Sequence, residues 1–475
     1  PSAMVNYNPA TTFLGLGAAT ASCLISCFIP AMTAVRLQPA AAMRGESPLG
    51  GGRRSWLEFF FLFKNLSPTN KMILRGVGRN PKRSVSAVLG IAFAMVLVMT
   101  SLGLQDTAKY FLDKVFNRTY LEDLSVQLSV PLDRDELAEV FGTEGIARVE
   151  PVLAVPIVVY RGEEDQTTHL LILDEDSQMR AFWDQKDNQM SLDSEGIFLW
   201  GGFRNILGLN PGDQISLGID PQVVGRLVEA MQAETAQLDN QMLQAQSFRQ
   251  LLINMITNKR FFTQVAGFVD EPIGSMVYST WSWLLPDLER LGLEEKVTMA
   301  YVQVKPNQLG QVRERLNALP QVQSIEDRQI LYTLTLKMLD LFYFFVRVMF
   351  VFGILMALGL IFNTVSVNII ERTREIATLR TMGFTYQRIN SIVTAENLLL
   401  VTLALPLGIY GGFRMSEYAL SFFNNESFNF HLFIYPASYG VLVAGIIATA
   451  LISQIPALFA MRKLDLAKLI KERTS

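Results

Sequence analysis

The sequence predicts an α-helical membrane protein of about five transmembrane helices, carrying a mixed α/β domain outside the membrane. Three observations predict this class. Apolar stretches at residues 11–35, 84–104, 338–370, 388–412 and 435–460 each come near or exceed the ~20 residues that a helix needs to cross a bilayer. Charge is segregated: residues 36–83, 371–389 and the C-terminal tail are basic, whereas residues 105–335 hold 34 acidic and 19 basic residues. Within 105–335, runs rich in Val, Ile, Thr and Tyr end at Gly, Pro or acids, as short strands do.

Composition sets the frame. A chain that is 50% hydrophobic and 18% charged, with mean hydropathy +0.26, lies between soluble proteins and wholly membrane-embedded ones. Two cysteines and two histidines exclude a disulfide scaffold and leave too few soft ligands for a zinc site. No bound metal or cofactor is expected. Cys23 and Cys27, one turn apart in the first apolar stretch, read as small packing residues. His169 and His431 stand alone.

The first span and its cytoplasmic end take in residues 1–45. Residues 46–83 then form a basic linker that finishes in "KMILRGVGRNPKR" (71–83), amphipathic in its first half and broken by Pro81. It reads as a membrane-surface helix. Attraction to anionic lipid headgroups is an alternative, and positive-inside topology alone explains the charge. That rule places 36–83, 371–389 and the C-terminus in the cytoplasm and 105–335 outside, as a zigzag of five spans requires.

In the outer domain, residues 149–162, 168–174, 262–271 and 297–306 are expected strands. The Pro-Gly-Asp turn in "GLNPGDQISLGI" (208–219) leads into another. Residues 308–327 read as a helix followed by a short strand. In 222–258, Met231, Leu238, Ala245 and Leu252 recur every seven residues. They predict a helical insertion, either covering a sheet or docking a partner or apolar cargo.

The stretch 338–370 is too long for the membrane alone, at roughly 50 Å of helix against a ~30 Å hydrocarbon core. Part of it must stand outside as a stalk. Arg347 then lies at the interface, where snorkelling accounts for it. Next comes "ERTREIATLRTMGF" (371–384), a charged helix former between two spans. Ile376, Leu379 and Met382 form an apolar stripe. Glu371 and Glu375 precede Arg374 and Arg380, in the order that suits the helix dipole. Gly383 can end the helix in a left-handed conformation. Taken by residues alone, this is an interfacial helix resting on lipid.

Within the spans, Asn363 and Glu396 are the polar residues to weigh, and for Glu396 interfacial snorkelling or pairing with a neighbouring helix is expected rather than ion transport. Gly408, Gly411 and Gly412 permit close helix approach, within the bundle or at a seam between two halves. Residues 29–44 and 455–470 align without gaps and match at Ile29/Ile455, Pro30/Pro456, Ala31/Ala457, Ala34/Ala460, Arg36/Arg462 and Ala41/Ala467. Such repeats mark transporter halves.

On these residues the chain resembles the FtsX-like (MacB-type) ABC permease family. The shared pattern is one span, a large outer domain, then three spans with a charged helix between the second and third. "ERTREIATLRTMGF" and "IPAxxAxR" carry the likeness. The resemblance implies the C-terminal part of a two-repeat permease in the cell (inner) membrane, with a MacB-like core domain at 105–335 and an FtsX-like domain at 338–475. It makes 371–383 a coupling helix for a cytoplasmic ABC ATPase subunit, with Ile376 and Leu379 as anchors and Glu371, Arg374, Glu375 and Arg380 setting register. ATP would act on that partner, because this chain has no GxxxxGK[ST] loop.

Further implied partners are membrane lipid, a periplasmic adaptor or cargo, and the other permease repeat in a dimer-like pairing; no nucleic acid is expected. The implied function is mechanotransmission that exports or extracts a lipoprotein, lipid or peptide. The alternative is ATPase-driven signalling to a cell-wall hydrolase or sensor kinase without transport. An enzyme is not expected, since no Ser/His/Asp, Cys/His or metal-ligand spacing stands out in 105–335.

Overall fold

The computed structural model describes residues 9–35, 68–79, 81–192, 196–219, 260–272, 274–284, 286, 296–371, 373–424 and 428–462. The helical insertion expected at 222–258, the linker before Pro68 and the tail after Arg462 lie outside the described residues. The chain divides into two compact units, residues 1–79 and 80–475.

The first unit contains helices α1 (Pro9–Val35) and α2 (Pro68–Arg79). Phe13, Leu14, Leu24, Ile25 and Phe28 of α1 are all exposed, as befits a helix that is apolar all round and suited to hydrocarbon. Cys23 and Cys27 are free thiols and exposed.

In the second unit, α3 (Pro81–Asp113) runs into a π-helical turn at Lys114–Thr119. The outer domain follows with β1 (Leu124–Asp133), α4 (Arg134–Phe141), β2 (Ile146–Arg161), β3 (Glu164–Leu173), β4 (Phe182–Trp183), β5 (Gln189–Met190), β6 (Ile197–Trp200), β7 (Gln214–Ile219), β8 (Phe261–Val269), β9 (Met276–Thr280), β10 (Lys296–Val304), α5 (Leu309–Asn317) and β11 (Val322–Asp327). The chain then returns through α6 (Arg328–Glu371), α7 (Thr373–Thr381), α8 (Tyr386–Ser421) and α9 (Pro436–Arg462).

Among the described residues, α3, α6, α8 and α9 are long and apolar enough to cross a membrane. The apolar part of α1, Thr12–Phe28, is shorter than theirs. At 44 residues, α6 is about 66 Å long, so it outlasts the bilayer as its length in sequence requires. Helix α3 lies against both α6 and α8. A Cβ on Gly408 would stand 2.6 Å from Met95 Cβ, and one on Gly353 would stand 2.7 Å from Val98 Cγ2. The glycine seam therefore joins helices of one bundle, where dispersion between close backbones replaces the missing hydrophobic drive.

Nine strands pair in the order β11-β1-β10-β2-β3-β9-β6-β8-β7, and β7 also pairs with β2. Two substructures share β2. At one end, β11, β1, β10 and the first half of β2 form an antiparallel sheet. Helices α4 and α5 complete two β-α-β halves there, with Leu124, Val126, Phe141, Val302 and Leu316 in the core. Helix α4 begins at a capping box between Asp133 and Glu136.

At the other end, β2, β3, β9, β6, β8 and β7 close into a ring. Leu153, Ile157 and Val159 of β2 join Ile172, Leu199 and Val277 in one core. Val152 joins Leu171, Phe198 and Tyr278 in another. Alternate residues of a pleated strand thus serve opposite faces. The strands expected from composition are all present at their expected places.

Candidate functional site

Helix α7 lies one residue beyond α6. Glu375 is in its first turn and Arg380 in its last, matching the helix dipole. At its end Gly383 takes φ 92°. The Phe384 N–H donates to Leu379 O at 3.1 Å and the Gly383 N–H to Arg380 O at 3.0 Å. This is a Schellman stop, which uses the left-handed conformation open to glycine. The Arg380 guanidinium stacks 3.3 Å over the Tyr386 ring, and the Thr385 side chain caps α8 by accepting from the Arg388 N–H. The turn between α7 and α8 is pinned on both sides.

The faces of α7 differ from expectation at one place. Ile376 is only 8% exposed and Ala377 is also buried, while Leu379 and Arg380 are half-buried. Glu375, Thr378 and Thr381 are exposed, and Met382 is 72% exposed. Ile376 points into its own protein, because the apolar side of an amphipathic helix packs on the spans beside it. It is not an outward anchor. The side chains of Glu371 and Arg374 lie outside the described residues.

Within the bundle, Glu396 is buried and accepts a hydrogen bond from Asn368 Nδ2 of α6 at 3.2 Å. Pairing with a neighbouring helix, expected for this acid, is what the structure contains. Asn363 is exposed. Asn397 and Gln454, which sequence reading passed over, are buried. Gly408 and Gly412 face Met95 and Met99 of α3, and Gly411 faces Val96.

Outside the bundle, α3, α6 and the α8–α9 loop meet the sheet domain through charged and polar contacts. The Arg328 guanidinium, at the first residue of α6, donates to Phe116 O (3.2 Å), Tyr120 O (3.1 Å) and Asp123 Oδ1 (3.2 Å). Asp123 Oδ2 accepts from the Val304 N–H of β10 at 2.9 Å. Asp327 Oδ1 accepts from the Gln329 N–H at 2.8 Å and the Ile330 N–H at 3.2 Å, capping α6. The junction gathers the ends of α3, β1, β10, β11 and α6.

On the opposite side, Lys114 Nζ lies 2.6 Å from Asp270 Oδ2, just beyond β8. His431 Nδ1, in the α8–α9 loop, lies 3.2 Å from Asp270 Oδ1. The Asn429 N–H donates to Pro272 O at 3.2 Å, and the Phe433 and Tyr110 rings stack at 4.2 Å. His431, isolated in sequence, is therefore a bridging residue. Burial alone would raise the Asp270 pKa, but the His431 hydrogen bond and Lys114 together hold it below its ordinary value.

Next to this pair, Glu271 is shifted the other way, upward by burial. Tyr278 Oη donates to it at 2.5 Å. Arg180 is also buried. It donates to Tyr301 Oη at 3.0 Å, lies 3.6 Å from Glu122 Oε1, and sits 3.9 Å over the Tyr120 ring. Burial pushes the Tyr301 hydroxyl up to about 12. These are charged and polar groups held together in a low-dielectric seam. Sequence reading missed them because each reads alone as an ordinary surface charge. The nearest signal was a lysine and an arginine inside the apolar run "KYFLDKVFNRTY" (109–120).

Comparison with known proteins bears on the helical part. Residues 347–466 match the family model of the FtsX-like permease C-terminal domain. The FtsX-like region thus takes in most of α6 together with α7, α8 and α9. Solved structures similar to this chain include the extracellular domain of the noncanonic ABC-type transporter YknZ from Gram-positive bacteria. It shows 11% identity and a TM-score of 0.25, covering 42% of this chain and 100% of that one. Another is the periplasmic region of MacB from Actinobacillus actinomycetemcomitans, at 10% identity and a TM-score of 0.25, covering 47% of this chain and 96% of that one. No curated protein matches.

Proposed function

We propose that this chain is the permease subunit of an ABC complex and transmits force from a cytoplasmic ATPase to its outer domain. The observation that carries the proposal is the continuity of α6. It runs from Arg328, tied into the sheet domain, to Glu371 beside α7, without a break. A helix of this length, packed along α3, moves as a lever rather than bending locally. In this reading α7 docks on the ATPase through Glu375, Thr378, Thr381 and Met382, while Ile376 fastens it to the spans. ATP is bound and hydrolysed on the partner.

The chain would lie in the cell (inner) membrane with α7 and the C-terminus inside and residues 105–335 outside, as the charge segregation supports. The repeat at 29–44 and 455–470 supports pairing with a second permease repeat. The work done would be export or extraction of a lipoprotein, lipid or peptide held by the outer domain, with or without an adaptor.

The test is purification of the full-length protein from its own membrane in mild detergent, with mass spectrometry of what accompanies it. An ATP-binding subunit is expected with the wild type and with Ile376→Val, and is expected to be lost with Glu375→Lys/Met382→Glu. Its absence from a folded wild type would remove the coupling role and leave α7 as a lipid-surface helix. Recovery of a cell-wall hydrolase or kinase in place of an adaptor would turn the reading from export to signalling.

A further inference from the structure

We propose that Lys109 and Arg347 together hold the phosphate of an outer-leaflet phospholipid whose headgroup carries N–H or O–H donors. The two cations stand on different helices and line one cleft of about 370 Å³ between α3 and α6, with Asp113, Asn117, Tyr332 and Tyr343. Both are exposed, and neither enters an ion pair among the described residues. Both cations open to solvent on the same cleft, and a phosphate oxygen suits each of them.

The third charge narrows the ligand. Asp113 Oδ1 accepts from Asn117 Nδ2 at 3.0 Å, and Oδ2 has no such partner among the described residues. A carboxylate beside a phosphate site repels a bare anion and favours a ligand that brings its own donor. Phosphatidylethanolamine and phosphatidylglycerol bring one, whereas phosphatidylcholine does not.

Depth agrees with a lipid. Counting ~20 residues outward from residues 84 and 370, the cytoplasmic ends of the two apolar stretches, reaches residues 104 and 350, so Lys109 and Arg347 stand roughly 7 and 5 Å further out, at the level of the headgroups. Inward of Arg347 and on its side of α6, Val351 and Leu355 are exposed and offer an apolar wall to acyl chains. Helix α6 is the lever of the proposed function and α3 the helix it packs along, so this site would sense their separation. The leaflet, though not the chemistry of the cleft, rests on the topology proposed above.

The experiment is native mass spectrometry of the full-length protein taken from vesicles of equal phosphatidylethanolamine, phosphatidylglycerol and phosphatidylcholine. One donor-bearing phospholipid is expected to remain on the wild type in preference to phosphatidylcholine. Its occupancy should fall by roughly tenfold or more in Lys109→Gln/Arg347→Gln, which removes two charge-assisted contacts. Lys337→Gln, also an exposed cation of α6, should leave it unchanged. Asp113→Asn should keep the lipid but lose the discrimination against phosphatidylcholine.

Equal retention by the double variant, or equal loss in Lys337→Gln, would overturn the site. Separately, a cysteine at Thr333 in a Cys23→Ser/Cys27→Ser background should react with an impermeant maleimide from outside intact cells. Reaction only after permeabilisation would overturn the outer-leaflet assignment and the topology, while the retention result would still judge the cation pair.

Discussion

Lys114 Nζ lies 2.6 Å from Asp270 Oδ2, with the lysine side chain 1% exposed and the aspartate 9%. The first residue of the π-helical turn that continues α3 is thereby fastened to the sheet domain in a place that water hardly reaches. Such a pair contributes little net stability, yet it is costly to break, because the surviving charge stays buried without its partner. Its value in this protein is positional, since sliding the stalk against the domain would separate the two charges.

That argument fixes the outcome of a double-mutant cycle. Lys114→Met or Asp270→Leu alone should each destabilise the detergent-solubilised protein by about 3–5 kcal/mol. The combined variant should recover most of the loss, giving a coupling energy well above the ~0.5 kcal/mol that independent sites show. Thermal unfolding followed by intrinsic fluorescence measures it. Additive losses would mean that the two side chains do not act as a pair.

The pH dependence follows from two neighbours with opposite shifts. Asp270 is lowered when folded, so its stabilisation is present above the ordinary carboxylate range and is lost as pH falls through the folded value. Glu271 is raised when folded. Its favourable contribution is present at acid pH and is lost as pH rises from the ordinary value through the folded one. Glu271→Gln should therefore raise the Tm at neutral pH and have little effect below the carboxylate range. Asp270→Asn should lower it at neutral pH and flatten the acid limb. Unfolding scans from acid to neutral pH test both signs.

Gly408 offers a packing test. Alanine there puts a methyl 2.6 Å from Met95 Cβ, whereas the same change at Gly359 meets nothing within 4 Å. Overpacking costs typically ~1–3 kcal/mol, and alanine in an open helix position gains up to ~1 kcal/mol over glycine. Gly408→Ala should lower the Tm and Gly359→Ala should leave it level or raise it. A fall in both would point to backbone effects rather than the α3–α8 contact.

Arg328 serves three acceptors in the π-helical turn after α3 and in the segment that leads into β1. Lysine keeps the charge but cannot reproduce a planar fork aimed at three oxygens. Arg328→Lys should leave the fold intact and increase amide exchange in the first turns of α6 by about tenfold, the equivalent of one lost hydrogen bond to a charged group. Unchanged protection at Tyr332–Leu336 would show that the junction does not clamp the lever.

The sequence by itself determined four of the five expected spans, the strands β2, β3, β7, β8, β10 and β11 and the short charged helix, because these follow from periodicity over a few neighbouring residues. Residues 338–370 were too apolar and too long for anything but a stalked span, and "ERTREIATLRTMGF" was legible as a helix ended by Gly383. Orientation of that helix was not legible, since a stripe of Ile376, Leu379 and Met382 does not say which of its members packs inward. The order of the nine strands, the return of β7 to β2, and the meeting of Lys114 with Asp270 and His431 were decided only by the tertiary structure. Lys114 and Asp270 stand 156 positions apart. In the chain each is one charge among many, and only burial in a common low-dielectric seam turns them into a pair.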